Sequence, residues 1–475
     1  MASIANPAQS TTNWRDGKRY WWLMSPALPV MVLAGQAAIP FAEGAALTTL
    51  LCWIGFVLFY GIAPVLDYFV GTDPVNAPES AVVSLEQDAW YRNIVFAYVP
   101  AQYAVTALGA WLVMSQDLAW YQMLGVLMST GVINGVGINT AHELGHKTNS
   151  LERWMSKLTL APVAYGHFYI EHNKGHHKHV ATPGDPASSA MGETLYQFLP
   201  RTFIGSAKSA WKIEAERLQR VGKSVWSIDN DNLQAWAMTV VLFGGLTAWL
   251  GWPALAFLVV QAFYGASLLE VVNYLEHYGL ARQKLADGRY ERCQPKHSWN
   301  SNHVITNLLL YQLQRHSDHH ANPTRRFQAL RHFEDSPQLP SGYASMVLAA
   351  YFPPIFFALM DRRVAEHHGY DLTKARVAEH AKDRLMRRWH RPVAPVAAKE
   401  TLTEADLAAR EVRRLAVAQE AGAGWQCPNC FFVYVEARGV PEEGWAAGTL
   451  WSALPKEWTC PQCAVREKPD FVKIG

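Results

Sequence analysis

Charge is scarce in this sequence: Asp, Glu, Lys and Arg make up 17% of its 475 residues, while half of the chain is hydrophobic. So apolar a composition in so long a chain excludes a typical soluble single domain. An excess of either sign is also missing. The formal net charge is +2, which gives no electrostatic basis for a nucleic-acid partner. Cysteine is sparse, six in all, and four of them lie in the last fifty residues as two Cys-x-x-Cys pairs. That clustering speaks for metal rather than a disulfide framework. No secretory leader is legible: the first ten residues are polar, and the first apolar run, after Arg15, Lys18 and Arg19, lacks a small-residue cleavage pattern. That run is therefore expected to remain as an anchor.

Long apolar runs are present in number. A bilayer-spanning helix needs about 20 mostly apolar residues. Candidates lie near 20–40, 45–69, 93–114, 119–141, 233–250 and 254–275, which predicts six spans. The connections 41–44, 115–118 and 251–253 are tiny, whereas 70–92, 142–232 and everything after the sixth span are long, so the long pieces share one side. Arg15, Lys18, Arg19, Lys147, Arg153 and Lys157 mark that side as cytoplasmic by the positive-inside rule. A seventh run, 343–360, carries Pro353-Pro354 and reads as interfacial or re-entrant rather than spanning.

Histidines gather at the cytoplasmic ends of these spans. "HELGH" holds His142, Glu143 and His146 in the H-E-x-x-H spacing of zinc proteases. "EHNKGHHKH" adds His172, His176 and His177, "LQRHSDHH" adds His316, His319 and His320, and "NYLEHYGL" adds His277. A single zinc takes three or four ligands, so nine imidazoles suit two cations with four or five each. A four-residue helical step predicts His142 above His146 and His172 above His176, each pair on one face, while adjacent histidines turn toward different ions. Imidazole suits zinc, copper, iron and nickel alike. Glu143, Glu171, Glu276 and Asp318 are expected to orient ligands. His167, His179, His297, His303 and His332 are expected to be ordinary surface or hydrogen-bonded residues, and Asp185 in "TPGDPASS" a turn residue.

The cysteines are Cys427 and Cys430 in "CPNC" and Cys460 and Cys463 in "CPQC", a four-thiolate set for one zinc or iron. With Tyr434, Trp451 and Trp458 between or beside them, and "GTLWSALPKEWTCPQC" before the second knuckle, the tail resembles rubredoxin. A one-electron iron carrier is implied. Phe431 and Ala464 stand where that family usually has glycine, so a positive φ is expected there at some cost in strain.

The four histidine stretches together resemble the integral-membrane alkane 1-monooxygenases, in the form fused to rubredoxin. The resemblance implies an all-α polytopic membrane protein, with six transmembrane helices under a cytoplasmic histidine-rich helical cap and a small metal-knuckle domain. The divisions expected are a hydroxylase at 1–390, a linker with one exposed helix at 391–424 and a rubredoxin at 425–475. A di-iron centre is implied on His142, His146, His172, His176, His177, His277, His316, His319 and His320, with one further iron on Cys427, Cys430, Cys460 and Cys463. The implied reaction is terminal hydroxylation of medium-to-long-chain n-alkanes by O₂ and two electrons at a bacterial inner membrane. The chain lacks a dinucleotide-binding Gly-rich fingerprint, so a separate NADH-dependent flavin reductase is the expected electron source. Membrane lipid is the expected surrounding, and Trp53 or Leu269 are candidate wall residues of the substrate passage. The alternatives are a fatty-acyl desaturase or aryl-methyl hydroxylase, an intramembrane zinc protease, and a metal-sensing or storage protein.

Overall fold

A computed structural model describes residues 14–391, 411–418 and 423–475. Of the expected linker, 411–418 is helical, and 392–410 and 419–422 lie outside the described residues. Among the described residues, five continuous helices are long and apolar enough to cross a membrane: α1 (Trp21–Phe41), α4 (Ala89–Ser115), α5 (Trp120–Gly145), α8 (Asp231–Leu250) and α9 (Trp252–His277). The second expected span is α2 (Ala45–Cys52) and α3 (Ile54–Val70), bent by 56° at Trp53. The bend has a local cause. The Ser129 hydroxyl of α5 donates to Cys52 O at 2.8 Å and accepts from Gly55 N at 3.1 Å, so a side chain satisfies backbone groups that the break frees. Outside the spans, α6 (Ser150–Leu160) and α7 (Leu195–Arg220) precede α8, and α10 (His316–Ala321) follows α9. The seventh run forms α11 (Tyr343–Ala350) and α12 (Pro353–His367), bent by 120° ahead of the two prolines.

The centre of the bundle is the pair α5 and α9, and small residues set their approach. A Cβ on Gly135 would lie 2.8 Å from Gly265 O, and one on Gly265 would lie 2.9 Å from Gly131 O. Gly131 and Gly135 thus form a small-xxx-small seam on which the two backbones touch. Polar groups in the seam are paired: Asn134 donates to Gln261 at 2.6 Å and to Thr106 of α4 at 3.0 Å. Because the helices are locked in register, their last turns, carrying His142 and His277, end beside each other. The long connections fold over that same end. Thr72 bridges to His303, Arg315 donates to Asp73 O at 3.0 Å, and Arg331 pairs with Glu79 at 2.6 Å.

The tail is a three-stranded antiparallel sheet in the order β2 (Val433–Tyr434), β1 (Gly424–Gln426), β3 (Val472–Ile474). Its core is aromatic: Tyr434, Trp451, Trp458 and Phe471 meet with ring centroids 5.2–5.6 Å apart.

Candidate metal centres

The nine histidines fall into two buried groups. His142, His146, His172, His177 and His319 form one, and His176, His277, His316 and His320 the other. Within each group one ring nitrogen per residue lies within 4.8 Å of all the rest. In the first, Nε2 atoms approach at 2.8 Å (His142 to His319), 3.0 Å (His177 to His319) and 3.1 Å (His177 to His172). His319 Nε2 and His177 Nε2 each take part in two of these contacts, and a neutral imidazole nitrogen has only one proton or one lone pair to offer, so mutual hydrogen bonding cannot fully satisfy the set. Two nitrogens each about 2.1 Å from one cation at right angles would stand about 3.0 Å apart, so this donor set fits a metal.

The groups share elements. His319 and His320 are adjacent on α10 and serve different groups, as the alternation of faces predicts. His142 and His146 share a group, as a four-residue step on α5 requires. The segment 168–179 departs from that rule. Residues Glu171–His176 wind as a π-helix, which brings position i+5 rather than i+4 onto one face. Consequently His172 joins His177, and His176 is turned into the second group. Gly175 makes this winding compact: a Cβ there would lie 2.5 Å from a Glu171 carboxylate oxygen.

Outer partners fix the rings. His176 Nδ1 donates to Asp185 at 3.0 Å, and His277 Nδ1 to His297 O at 3.2 Å. Both rings keep a buried Nε2 with no protein partner, which is the lone pair a metal requires. Asp185 also accepts from Ser188 and Ala187 N. Burial alone would raise its pKa, but His176 and Ser188 outweigh burial and hold it well below the usual carboxylate range. Its reading as a simple turn residue is thus incomplete, because a ligand nine positions earlier leaves no local pattern to find. Of the four carboxylates expected to orient ligands, Glu276 meets His316 at Nε2, 3.1 Å away, the same nitrogen that lies 2.9 Å from His320 Nε2, so it touches the ligand side of the ring and leaves the outer Nδ1 without a protein partner. Glu143 instead pairs with Lys147 at 2.9 Å, and Asp318 with Arg325 at 2.7 Å. Glu171 lines a small cavity with Tyr165, His172, His176 and Glu270, where burial pushes its pKa up to about 9. Burial holds His172, His177, His316, His319 and His320 well below the usual imidazole value, so they are neutral near pH 7.

The five histidines expected to be ordinary surface or hydrogen-bonded residues stay out of both groups. His297 meets Glu291 at 3.2 Å, His303 meets Ser301 at 2.8 Å, His332 meets Asn302 at 3.0 Å, His167 is buried beside Tyr165 and His179 is exposed. Leu269 is buried with Ile138, Ala141 and Phe168, and the Phe168 ring stacks on His172 at 4.8 Å. Trp53 occupies the bend between α2 and α3 and donates to Tyr121 O.

Cys427, Cys430, Cys460 and Cys463 bring their sulfurs within 4.8 Å of one another. Phe431 and Ala464 adopt φ of +67° and +53°, the left-handed backbone expected where glycine is replaced. The tail sits against the histidine end of the bundle: Lys174 meets Glu443 at 2.6 Å, and Arg292 meets Asp470 at 2.5 Å.

Known proteins match both parts. The family described as fatty acid desaturase matches residues 118–350, and that described as rubredoxin matches 424–471. Alkane 1-monooxygenase of Acinetobacter baylyi is 50% identical over 371 residues, covering 76% of this chain and 88% of the relative. Alkane 1-monooxygenase of Pseudomonas putida is 44% identical over 384 residues, covering 80% and 93%. The xylene/toluene monooxygenase hydroxylase component XylM of Pseudomonas putida is 34% identical over 244 residues, covering 50% and 63%. The chain belongs to the alkane 1-monooxygenase family and carries a rubredoxin as its C-terminal domain.

Proposed function

We propose that this membrane protein hydroxylates the terminal methyl of medium-to-long-chain n-alkanes, using O₂ and electrons that pass through its own rubredoxin. The observation that carries this reading is the convergence of nine buried imidazoles into groups of five and four beside a four-cysteine site. In the reading, one iron is held by His142, His146, His172, His177 and His319, a second by His176, His277, His316 and His320, and a third by Cys427, Cys430, Cys460 and Cys463. When bound, redox-active iron supplies the O₂ activation that attack on an unactivated C–H bond needs. Asp185 and the His297 carbonyl keep His176 and His277 in the tautomer that presents Nε2 inward. The neutral state of His172, His177, His316, His319 and His320 leaves their lone pairs free of protons at working pH. Phe168, Ile138 and Leu269 give the first group an apolar wall on the membrane side, which excludes water and suits a substrate with no polar handle.

The domain divisions 1–390, 391–424 and 425–475 belong to the same reading. So does placement in a bacterial inner membrane with the N-terminus, histidine groups and rubredoxin in the cytoplasm, the alkane entering from lipid, and a separate NADH-dependent flavin reductase feeding the tail. The test is purified protein with such a reductase, NADH and octane, run beside an acyl substrate. Formation of 1-octanol, with iron rather than zinc bound, is the expected outcome. Alkene from the acyl substrate would favour a desaturase, and a lone zinc at His142 and His146 a protease.

A further inference from the structure

The cysteine-bearing side of the rubredoxin is the side that faces the hydroxylase. Cys463, Pro461 and Gln462 share a cavity of about 350 Å³ with His146 and Lys147. Asn429, Cys430 and Phe431 of the other knuckle look onto Asn322 and Arg325, just beyond His320. Both knuckles are therefore turned toward the hydroxylase; Cys427, Cys460 and Cys463 are at most 3% exposed, and Cys430 is half-buried. The aromatic core of Tyr434, Trp451, Trp458 and Phe471 packs behind the sulfurs, with Phe471 against the cysteines and Trp458 reaching the cavity that also holds Lys174 and Arg220.

A charged rim surrounds this contact. The tail contributes acids and the hydroxylase bases: Glu443 meets Lys174 and Arg220, Asp470 meets Arg292, and Glu467 faces Arg289 at 3.8 Å. Several of these side chains remain partly exposed, so the contact is of the rim type, which sets orientation and association rate more than strength.

Stoichiometry makes this placement consequential. In the proposed reaction one oxygen atom of O₂ enters the C–H bond and the other leaves as water. That consumes two electrons, drawn from NADH through the flavin protein, and two protons, one equivalent released with the NADH hydride and one taken from solvent. A single four-thiolate iron alternates between its ferric and ferrous states and delivers one electron at a time. It must be re-reduced within each turnover, while the face that delivers is covered by the acceptor.

We propose that the external electron donor uses the same acidic-rimmed cysteine face, so that the rubredoxin leaves the hydroxylase to be reduced and returns to deliver. The partner this surface fits is a flavoprotein presenting a ring of Lys and Arg around its redox edge, in imitation of Lys174, Arg220, Arg289 and Arg292. The inference rests on the proposed function.

A tether across the interface tests it. At the rim the backbones are close, since a Cβ on Gly444 would lie 2.3 Å from Arg220 Cβ. The double variant Arg220→Cys with Glu443→Cys, joined by a short bis-maleimide, would hold the domain in place. The four-thiolate iron of the full-length protein is followed by its visible absorption under anaerobic conditions, with NADH and reductase, before and after cross-linking, and with reagent-treated wild type alongside. The cross-link is expected to slow reduction by reductase about tenfold or more, while dithionite, a small reductant, still bleaches the site at the unlinked rate. Reduction by reductase at the unlinked rate would overturn the proposal and leave the proposed function standing. Failure of any NADH-dependent reductase to reduce the unlinked protein would overturn both.

Discussion

Asp185 shows what a single side chain contributes and why it escapes a reading of the sequence. It fixes the ring of His176 at 3.0 Å, yet it lies in a turn, on no periodic pattern that joins it to a ligand. Ligands announce themselves by type and spacing, whereas a group that orients them is found by geometry alone. Exchange of such a partner typically costs 10–100-fold in metal affinity or activity. Asp185→Asn is therefore expected to lower iron retention or turnover by about that range, read as iron per chain after dialysis against chelator. Wild-type retention and rate would remove Asp185 from the account. The buried histidines also set a pH dependence. His172, His177, His316, His319 and His320 have folded pKa values below the unfolded value, so below that value the unfolded chain binds more protons than the folded one. Asp185, held low as well, adds a loss of the same sign only below about pH 4, where an unfolded carboxyl takes up its proton. Stability of the metal-free protein is thus fully present above about pH 7.5 and declines as pH falls through about 6.5. Thermal unfolding in detergent across that window checks this, and a protein that gains stability on acidification would contradict it.

At the scale of elements, legibility depended on whether the helix was regular. The α5 histidines follow from ordinary periodicity, because four residues make about one turn of an α-helix. The 168–179 segment is legible as a ligand source, and His172 does stack on His176 with centroids 5.3 Å apart, but the division of those two rings between the groups is not legible. The π winding of Glu171–His176 shifts every following side chain, and no composition signal announces it. The span at 45–69 was legible by hydropathy, while its bend comes from Ser129 on another helix. Gly175 is the point where the π winding is most exposed to test. Gly175→Ala sets a methyl against the Glu171 carboxylate, the end of a side chain that borders a small cavity, so the misfit costs about 1 kcal/mol and is expected to lower iron retention about fivefold. Adding Glu171→Ala should return most of that loss, because the clash is with that side chain. If Gly175→Ala binds iron as the wild type does, the packing described for this turn is not what holds the ligands in place.

For the whole molecule, the sequence made both metal-bearing parts legible but not their arrangement, since docking rests on pairs such as Lys174 with Glu443 that are 269 positions apart. A chain ended at residue 390 is expected to keep the two histidine-held irons. It should hydroxylate only when rubredoxin is supplied separately, and then at higher protein concentration, because the tether no longer sets an effective concentration of about millimolar. Loss of both irons from the truncated chain would show that the domains do not stand apart. The account rests most directly on metal content joined to turnover. Iron and zinc should be counted per chain in the wild type and in His320→Ala, with 1-alkanol formation measured on the same samples. The prediction is three irons per wild-type chain, one for each ligand group, and in His320→Ala loss of alkanol formation with the four-thiolate iron retained. A single zinc at the histidines, or undiminished alkanol from His320→Ala, would contradict it.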